Sequence, residues 1–511
     1  MAKYILAYDL GTTGNKSTIF DLNGSVIEGS FFEYKTNYFG NNCAEQNPLD
    51  WWEAVCVSTK KMLKNSKINN KDIACVSFSG HMMGCLPVDK KGEPLRSAII
   101  WVDSRSVEQA NLLVEKIGME EGYKITGHRL LPMYSAAKIM WIRDNEPDIF
   151  KNIYKVLHTK DFIVSKLTGQ FVTDYSDASG MNLFDLRKCD WSDLMLSASE
   201  IPLEILPEPR PSTYVAGEIT SSAAKATGLR KGTPVIIGGG DGPCAAVGSG
   251  VVNEGDAYNY YGSAAWIGIA SREPIYDKEM RTFVFYHLDP KLFMPVGASN
   301  NGGYSYQWFR NSMWGNERLI LENLGLDIYD VMDSRTVSIK DKAGPLLFLP
   351  YIRGERCPYD NPNARGVFVG ITPNHMKEHF TKAVLEGITF NQKIILDSLE
   401  SQGASIDKMV VIGGGAKSNN WLRIMANIYN KNILKPKLLQ EATSLGAAIA
   451  GGVGSGLFKD FHAAKNMVQI VDTFKPDPEK NKEYEKLFSL FKEVYTMLTP
   501  AFKKMAAIKV N

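Results

Sequence analysis

A strand, a glycine loop and a second strand open this chain, and the same order returns past its middle; no other feature constrains the fold as much. Lys3 to Tyr8 reads as a strand, Gly11 to Gly14 as a Gly/Thr loop, Lys16 to Phe20 as a second strand and Asn23-Gly24 as the turn into a third. Asn-Gly between apolar runs is a strong hairpin signal. Ala257 to Tyr261, Gly262-Ser263 and Ala264 to Ala270 repeat the order. Strand-like runs at Cys75 to Phe78, Ala98 to Trp101 and Val235 to Ile237 alternate with helical patterns such as Pro48 to Leu63, an α/β arrangement. Glycines crowd between Gly232 and Gly255, so a boundary is expected near Gly250, giving domains 1–250 and 251–511. A helical cap is expected from about Pro476 to Val510. Two halves that each present a hairpin loop imply a cleft between them.

With 511 residues, 44% apolar and 22% charged, the chain exceeds what one hydrophobic core serves, and two domains are expected. Formal net charge is +2, from 58 basic and 56 acidic residues. No long Lys/Arg block occurs, which argues against nucleic acid as a partner. The opening Met-Ala-Lys-Tyr-Ile-Leu-Ala-Tyr-Asp lacks a secretion pattern, and no run approaches the roughly 18 apolar residues of a membrane helix. The seven cysteines, with no C-x-x-C pair, suit reduced thiols in a cytoplasmic protein.

Neither G-x-x-x-x-G-K-[ST] nor G-x-G-x-x-G occurs, so a phosphate site needs another geometry. Asp9-Leu10-Gly11-Thr12-Thr13-Gly14-Asn15-Lys16 offers one: glycines let backbone N–H groups approach phosphate oxygens, hydroxyls add donors and Lys16 adds a cation. Asp9 is placed to hold magnesium through water. A hairpin turn is the equally weighted bland reading. At Ile236-Ile237-Gly238-Gly239-Gly240-Asp241-Gly242 an apolar strand ends on one carboxylate. A single Asp suffices as the base for phosphoryl transfer to a hydroxyl, although alone it reads as a helix cap. Gly413-Gly414-Gly415-Ala416-Lys417-Ser418-Asn419 lies between a strand, Met409 to Ile412, and a helix from about Trp421. A flat purine fits against such bare backbone, and tight strand–helix packing demands it equally.

Two other patterns weigh less. His375-Met376-Lys377-Glu378-His379 fits the inverted zinc-protease motif H-x-x-E-H if both histidines share a helical face. Trp51-Trp52 begins an amphipathic helix, where core packing explains at least one ring.

Two long stretches resemble the signatures of the FGGY carbohydrate kinases. One is Met133-Tyr134-Ser135-Ala136-Ala137-Lys138-Ile139-Met140-Trp141-Ile142-Arg143-Asp144-Asn145; the other runs from Gly366-Val367-Phe368-Val369-Gly370-Ile371 through His379-Phe380 to Ala383-Val384-Leu385-Glu386. The resemblance continues through Trp101 to Arg105, Tyr175 to Gly180, Leu349 to Tyr351, Gly354 to Arg356 and Ala442 to Ala448, with the xylulokinases the most similar branch. It implies a two-domain ribonuclease-H-like, actin-like ATPase fold with the active site in the interdomain cleft. Carried over residue by residue, it implies Gly11, Thr12, Thr13 and Lys16 in one phosphate loop, Gly262 and Ser263 in a second, and Gly414, Gly415 and Asn419 at adenosine. Asp241 matches the catalytic base, Asp9 the magnesium residue, and His81, Met82, Met83, Asp103 and Asp241 the sugar contacts.

The implied reaction is ATP-dependent, magnesium-assisted phosphorylation of a ketopentose, D-xylulose to D-xylulose 5-phosphate; another ketose, a polyol or a sugar acid is the alternative. A chaperone-type or actin-like ATPase is the more distant rival. Expected partners are ATP and a small sugar, with a homodimer as the candidate assembly and neither nucleic acid nor membrane among them. One departure stands out. Xylulokinases read Ser-Gly-Gln-Met-His-Gly where this chain has Ser79-Gly80-His81-Met82-Met83-Gly84. A thioether at Met83 cannot donate to a hydroxyl, and His81 shares its face only if the backbone stays extended.

Overall fold

Alternate residues of the first strand, β1 (Tyr4–Leu10), enter two different cores. Leu6, Tyr8 and Leu10 pack with Trp51, Val55 and Phe162, whereas Ile5 and Ala7 pack with Cys244, Val247 and Leu445. A strand apolar on both faces must lie inside a layered sheet. The computed structural model describes residues 3–40, 42–339 and 343–508.

The first sheet contains β1, β2 (Gly14–Asp21), β3 (Val26–Glu33), β4 (Ile73–Gly80), β5 (Val215–Glu218), β6 (Pro234–Ile236) and the short β7 (Gly239–Gly240), in the order β5-β6-β4-β1-β2-β3 with β7 also on β4. β1, β2 and β3 are antiparallel neighbours, β4 and β6 run parallel to β1, and β5 closes the edge antiparallel. Asn23-Gly24 makes the expected turn, with Gly24 at φ 81° and Asp21 Oδ1 accepting the Asn23 and Ser25 amides.

The second sheet repeats this plan. β8 (Ala257–Tyr261), β9 (Ala265–Ile269), β10 (Phe283–Tyr286), β11 (Phe293–Ser299), β12 (Lys408–Gly413), β13 (Asn432–Pro436) and β14 (Ile470–Phe474) lie in the order β10-β11-β9-β8-β12-β13-β14. β8, β9 and β11 are antiparallel neighbours, β12 and β13 run parallel to β8, and β14 closes antiparallel. The echo between the two hairpins thus extends to six strands in matching order and direction, with β10 added at one edge.

The helices that position the site are α1 (Pro48–Ser66), α2 (Ser135–Asn145), α3 (Thr159–Thr168), α4 (Tyr175–Ser179), α5 (Asp241–Gly248), α6 (Lys377–Ser401), α7 (Asn419–Tyr429), α8 (Ala442–Gly454) and α9 (Pro478–Ala506). Asn47 caps α1 by accepting the Leu49 amide at 3.2 Å; Trp51 is buried and Trp52 half-buried. Helix α8 comes late in the chain, yet it packs on the first sheet. There it meets α5 backbone to backbone: a Cβ at Gly248 would lie 1.8 Å from Ala442 O, and one at Gly446 1.9 Å from Cys244 O.

Two readings shift. The strand expected at Ala98 to Trp101 stops at Ile99, because Trp101 turns away to give its indole N–H to Thr12 Oγ1 at 2.9 Å. The C-terminal cap is helix α9, started by Asp477, whose carboxylate accepts the Glu479 amide; Val510 lies outside the described residues. No helix among the described residues is long and apolar enough to cross a membrane.

Candidate active site

The first loop closes through the Gly11 amide, which donates to Gly14 O at 3.0 Å. Strand register sets Asp9 opposite Lys16 on β2 and Ser79 on β4. Asp9 accepts the Ser79 hydroxyl at 2.9 Å and the Thr443 hydroxyl, from α8, at 2.6 Å. Burial pushes its carboxyl above the usual range, while the Thr443 and Ser79 hydroxyls and the Lys16 charge pull the other way. Lys16 itself donates to Gln440 O at 2.9 Å and to Glu441 Oε1 at 3.0 Å. Thr12 is held through its carbonyl by Gln46 Nε2 at 2.7 Å, and Thr13 is exposed.

Asp241 reaches this end of the sheet by a path that only glycine can follow. Gly238 sits at φ 68°, and a Cβ there would lie 2.0 Å from Phe78 O; at Gly239 it would lie 2.3 Å from Leu288, and at Gly240 2.4 Å from Met82 Sδ. Register pairs Gly239 with Ser79 and Gly240 with Gly80, so Asp241 emerges beside His81 and starts α5. Its Oδ1 accepts the Gly242 amide at 2.8 Å. Burial above all, and then the Asp9 charge, push the half-buried carboxyl up to about 7, against the Gly242 N–H. A carboxylate poised there suits general-base work near neutral pH.

The loop after β4 does not stay extended. β4 ends at Gly80, and Met83 adopts φ 61°, so the shared face expected of His81 and Met83 does not form. His81 is buried beside Thr159, whose Oγ1 lies 2.8 Å from Nε2, with Trp51 edge-on at 5.7 Å. Burial pushes its imidazole down to about 3, leaving it neutral. Met82 lies in a core with Ala245 and Tyr258. Met83 is half-buried; a Cβ on Gly180 would lie 3.5 Å from its Cγ and 3.1 Å from Phe285. Asp103 is fully buried, accepting the Ala44 amide at 2.6 Å, the Arg105 amide at 3.0 Å and the Arg105 guanidinium at 2.6 Å.

In the second half, Gly262 and Ser263 join Gly414 and Gly415 around one cavity of about 290 Å³, whose walls include Tyr261 and Trp421. The Gly303 amide donates to Gly262 O at 2.7 Å, and the Tyr304 amide to Ser263 O at 3.1 Å. Gly415 needs its missing side chain, since a Cβ would lie 2.7 Å from Tyr261 Cβ. Asn419 begins α7 outside this lining, accepting Lys435 Nζ at 2.7 Å.

The H-x-x-E-H pattern is not a helix face. Helix α6 starts at Lys377, and His375 precedes it, its Nδ1 accepting the Thr372 amide at 2.9 Å. His379 Nδ1 accepts the Met376 amide at 3.1 Å, and Glu378 is bonded to Arg335 at 3.2 Å.

Several residues of the site escaped sequence reasoning. Lys138, fully buried, donates to the carbonyls of Met83 and Ile100 at 2.8 Å and of Met133 at 2.7 Å. Burial pushes its ammonium down to about 7. Lys160, with Asp161, Asp174 and Asp177, forms a buried ionic group. The signal for the latter was a Lys-Asp pair set directly before the apolar Phe162-Ile163-Val164. Thr443 lies in the resembling stretch Ala442 to Ala448, but its bond to Asp9 left no sign there, because a contact across so much sequence leaves no local trace.

Family models described as the FGGY family of carbohydrate kinases match this chain, the N-terminal domain over residues 4–248 and the C-terminal domain over 257–455. A xylulose kinase of Bacillus subtilis is 30% identical over 97% of both chains, and a gluconokinase of Bacillus licheniformis is 31% identical over 99% of this chain and 98% of its own. Among solved structures, a gluconate kinase of Lactobacillus acidophilus superimposes with TM-score 0.90 at 27% identity, covering 98% of this chain and 99% of that one. A ligand-bound xylulose kinase from the same organism gives 0.89 at 27% identity, covering 98% and 100%.

Proposed function

This chain belongs to the FGGY family of carbohydrate kinases, and from that premise we propose that it transfers the γ-phosphoryl group of ATP to a hydroxyl of D-xylulose, giving D-xylulose 5-phosphate. The fold is the two-domain, actin-like ATPase type of these kinases; a chaperone-type ATPase shares that fold, and it is the match of both carbohydrate-kinase domains that sets this rival reading aside. In our reading the two domains divide near Gly250. The observation that carries the proposal is Asp241, raised to about 7 at the start of α5, beside the loop that holds Met83.

In this reading Asp241 takes the proton of the attacking hydroxyl, while Gly11, Thr12 and Thr13 meet the phosphates from one lobe and Gly262 and Ser263 from the other. Gly414 and Gly415 bed the adenosine, with Asn419 beside them, and His81, Met82, Met83 and Asp103 build the sugar side. His81, Met82 and Asp103, all buried, act there mainly as walls, and Met83 reaches furthest. Lys16 must leave Glu441 to reach a phosphate. Positioning and charge neutralisation then do most of the catalysis.

Magnesium fits the donor set. Asp9 is a hard oxygen ligand whose charge is met by the Ser79 and Thr443 hydroxyls and the nearby Lys16, and such oxygens are what the ion prefers, largely through water. Asp9 would hold the ion, which would neutralise charge on the phosphates.

A sugar acid is the second reading, favoured by the gluconokinase relatives. Charge argues for the neutral ketose. Around Asp241, Asp9 and Asp177 both raise its carboxyl, and the nearby cations are committed: Lys16 to Glu441, Lys160 to three aspartates, Arg105 to Asp103 and Glu45, and Lys138 to carbonyls. A bound carboxylate would have to draw one of these cations away from its present partner, and unpaired buried charge is costly. Phosphorus NMR of the product tests this. A primary phosphate ester formed from D-xylulose supports the proposal, and product from D-gluconate alone overturns it.

A further inference from the structure

The ionic group around Lys160 connects to the residue before Asp241 through a single hydroxyl. Lys160 Nζ lies 2.6 Å from Asp161 Oδ1, 2.9 Å from Asp174 Oδ1 and 3.0 Å from Asp177 Oδ2, all of them buried. Asp174 Oδ2 accepts both the Ser176 amide, at 2.8 Å, and the Ser176 hydroxyl, at 2.5 Å. Ser176 Oγ in turn accepts the Gly240 N–H at 2.9 Å. The same segment borders the sugar loop: a Cβ on Gly80 would lie 3.2 Å from Lys160 Cβ, and neighbouring Thr159 holds His81.

Lys160, together with His158, whose Nδ1 lies 3.5 Å from Asp161 Oδ2, faces three aspartates in an ionic network inside the protein. Such a group adds little net stability compared with apolar packing of the same volume, so its worth lies in fixing geometry. What it fixes is narrow. Gly239 and Gly240 have no side chains of their own to anchor them, and the walls around them leave room for none. Pairing with β4 aligns this short strand, and the Ser176 hydroxyl adds the side-chain anchor at the residue just before Asp241.

We propose that Ser176 is a positioning residue for Asp241, carrying the fixed geometry of the Lys160–Asp174 ion pair to the Gly240 amide so that the carboxylate meets the acceptor hydroxyl. The inference rests on Asp241 being the base. Small displacements of an aligned group cost much of the rate. Ser176→Ala should lower kcat about tenfold or more on whichever sugar the parent enzyme turns over, while KM for sugar and for ATP stay within about twofold.

Placed in an Asp241→Asn background, the same change should cause no further loss of the residual rate, because Ser176 acts through Asp241. A merely structural serine would lower the residual rate again, and that result, an unchanged kcat, or a loss confined to KM overturns the inference. Should Ser176→Ala fail to fold, Asp174→Asn tests the same relay. Its amide oxygen still accepts the Ser176 hydroxyl while the ion pair weakens, so a smaller loss confined to kcat is expected, and no loss, or a loss in KM alone, overturns the inference. A parent enzyme with no sugar-dependent turnover would instead defeat the kinase substrate reading, which keeps the two failures distinct.

Discussion

The hydroxyl of Thr443 donates to Asp9 Oδ2 at 2.6 Å across 434 positions of sequence. A helix from late in the chain, α8, thus completes the hydrogen bonding of the carboxylate beside the first glycine loop. Thr443→Val keeps the shape and removes the donor, leaving Asp9 with the Ser79 hydroxyl alone. Because the Thr443 bond favours the ionised carboxylate, its loss should weaken the hold on magnesium. A titration at saturating ATP should show a half-maximal magnesium concentration raised about threefold or more, with a modest fall in kcat. An unchanged magnesium curve would contradict the assignment of Asp9.

Asp241 gives a pH prediction of definite sign. A base must be ionised, so kcat/KM for the sugar should climb with pH to a plateau above about 7. Asp241→Asn should abolish that limb and lower turnover by about 100-fold or more, with nucleotide affinity kept. Stability moves the other way. The folded state keeps a proton that the unfolded chain releases near 3.9, so folding loses stability as pH rises from about 4 to about 7. Asp241→Asn should therefore unfold at a higher temperature than the parent at about pH 8, and the two should converge near pH 4. Thermal melts at both pH values check this.

If Lys16 serves the phosphates as proposed, Glu441 competes with the nucleotide for it. The ion pair at 3.0 Å holds the ammonium away from phosphate, so Glu441→Gln should release it and lower KM for ATP about twofold, whereas Lys16→Met should raise KM several-fold. Initial-rate measurements across ATP concentrations read both. Equal KM values in all three proteins would remove Lys16 from the phosphate site.

Much of the scaffold was legible because its signals are local. A nearly unbroken apolar run wrote β1, Asn23-Gly24 wrote the turn, and the glycines before Asp241 marked a strand squeezed between Phe78, Leu288 and Met82. The hairpin echo at Gly262-Ser263 pointed to the repeated sheet. What stayed hidden depends on long-range approach. The Thr443–Asp9 bond, the Lys138 cage of carbonyls and the Ser176 link to Gly240 each join distant segments. The loop at Met83 misled for a different reason: its φ of 61° is uncommon for a non-glycine residue, so extension was the natural expectation.

That turn changes what the sugar pocket should do when altered. Met83 is half-buried, while His81 is a neutral ring packed on Trp51 and Thr159. Met83→His alone should therefore shift the ranking of sugars toward D-xylulose. His81→Gln should chiefly lower the melting temperature through lost packing, by about 1–3 kcal/mol of stability. A sugar panel and a thermal melt on each single variant separate the two. An unchanged ranking in Met83→His would take that side chain out of the pocket.

The central claim is tested most directly by the rate of ADP release from the parent enzyme with ATP and magnesium alone, then with D-xylulose or D-gluconate added. The account predicts that D-xylulose raises the rate by about 100-fold or more over the sugar-free rate, with D-gluconate far less effective. ADP release that no sugar stimulates, or that D-gluconate stimulates and D-xylulose does not, would contradict it.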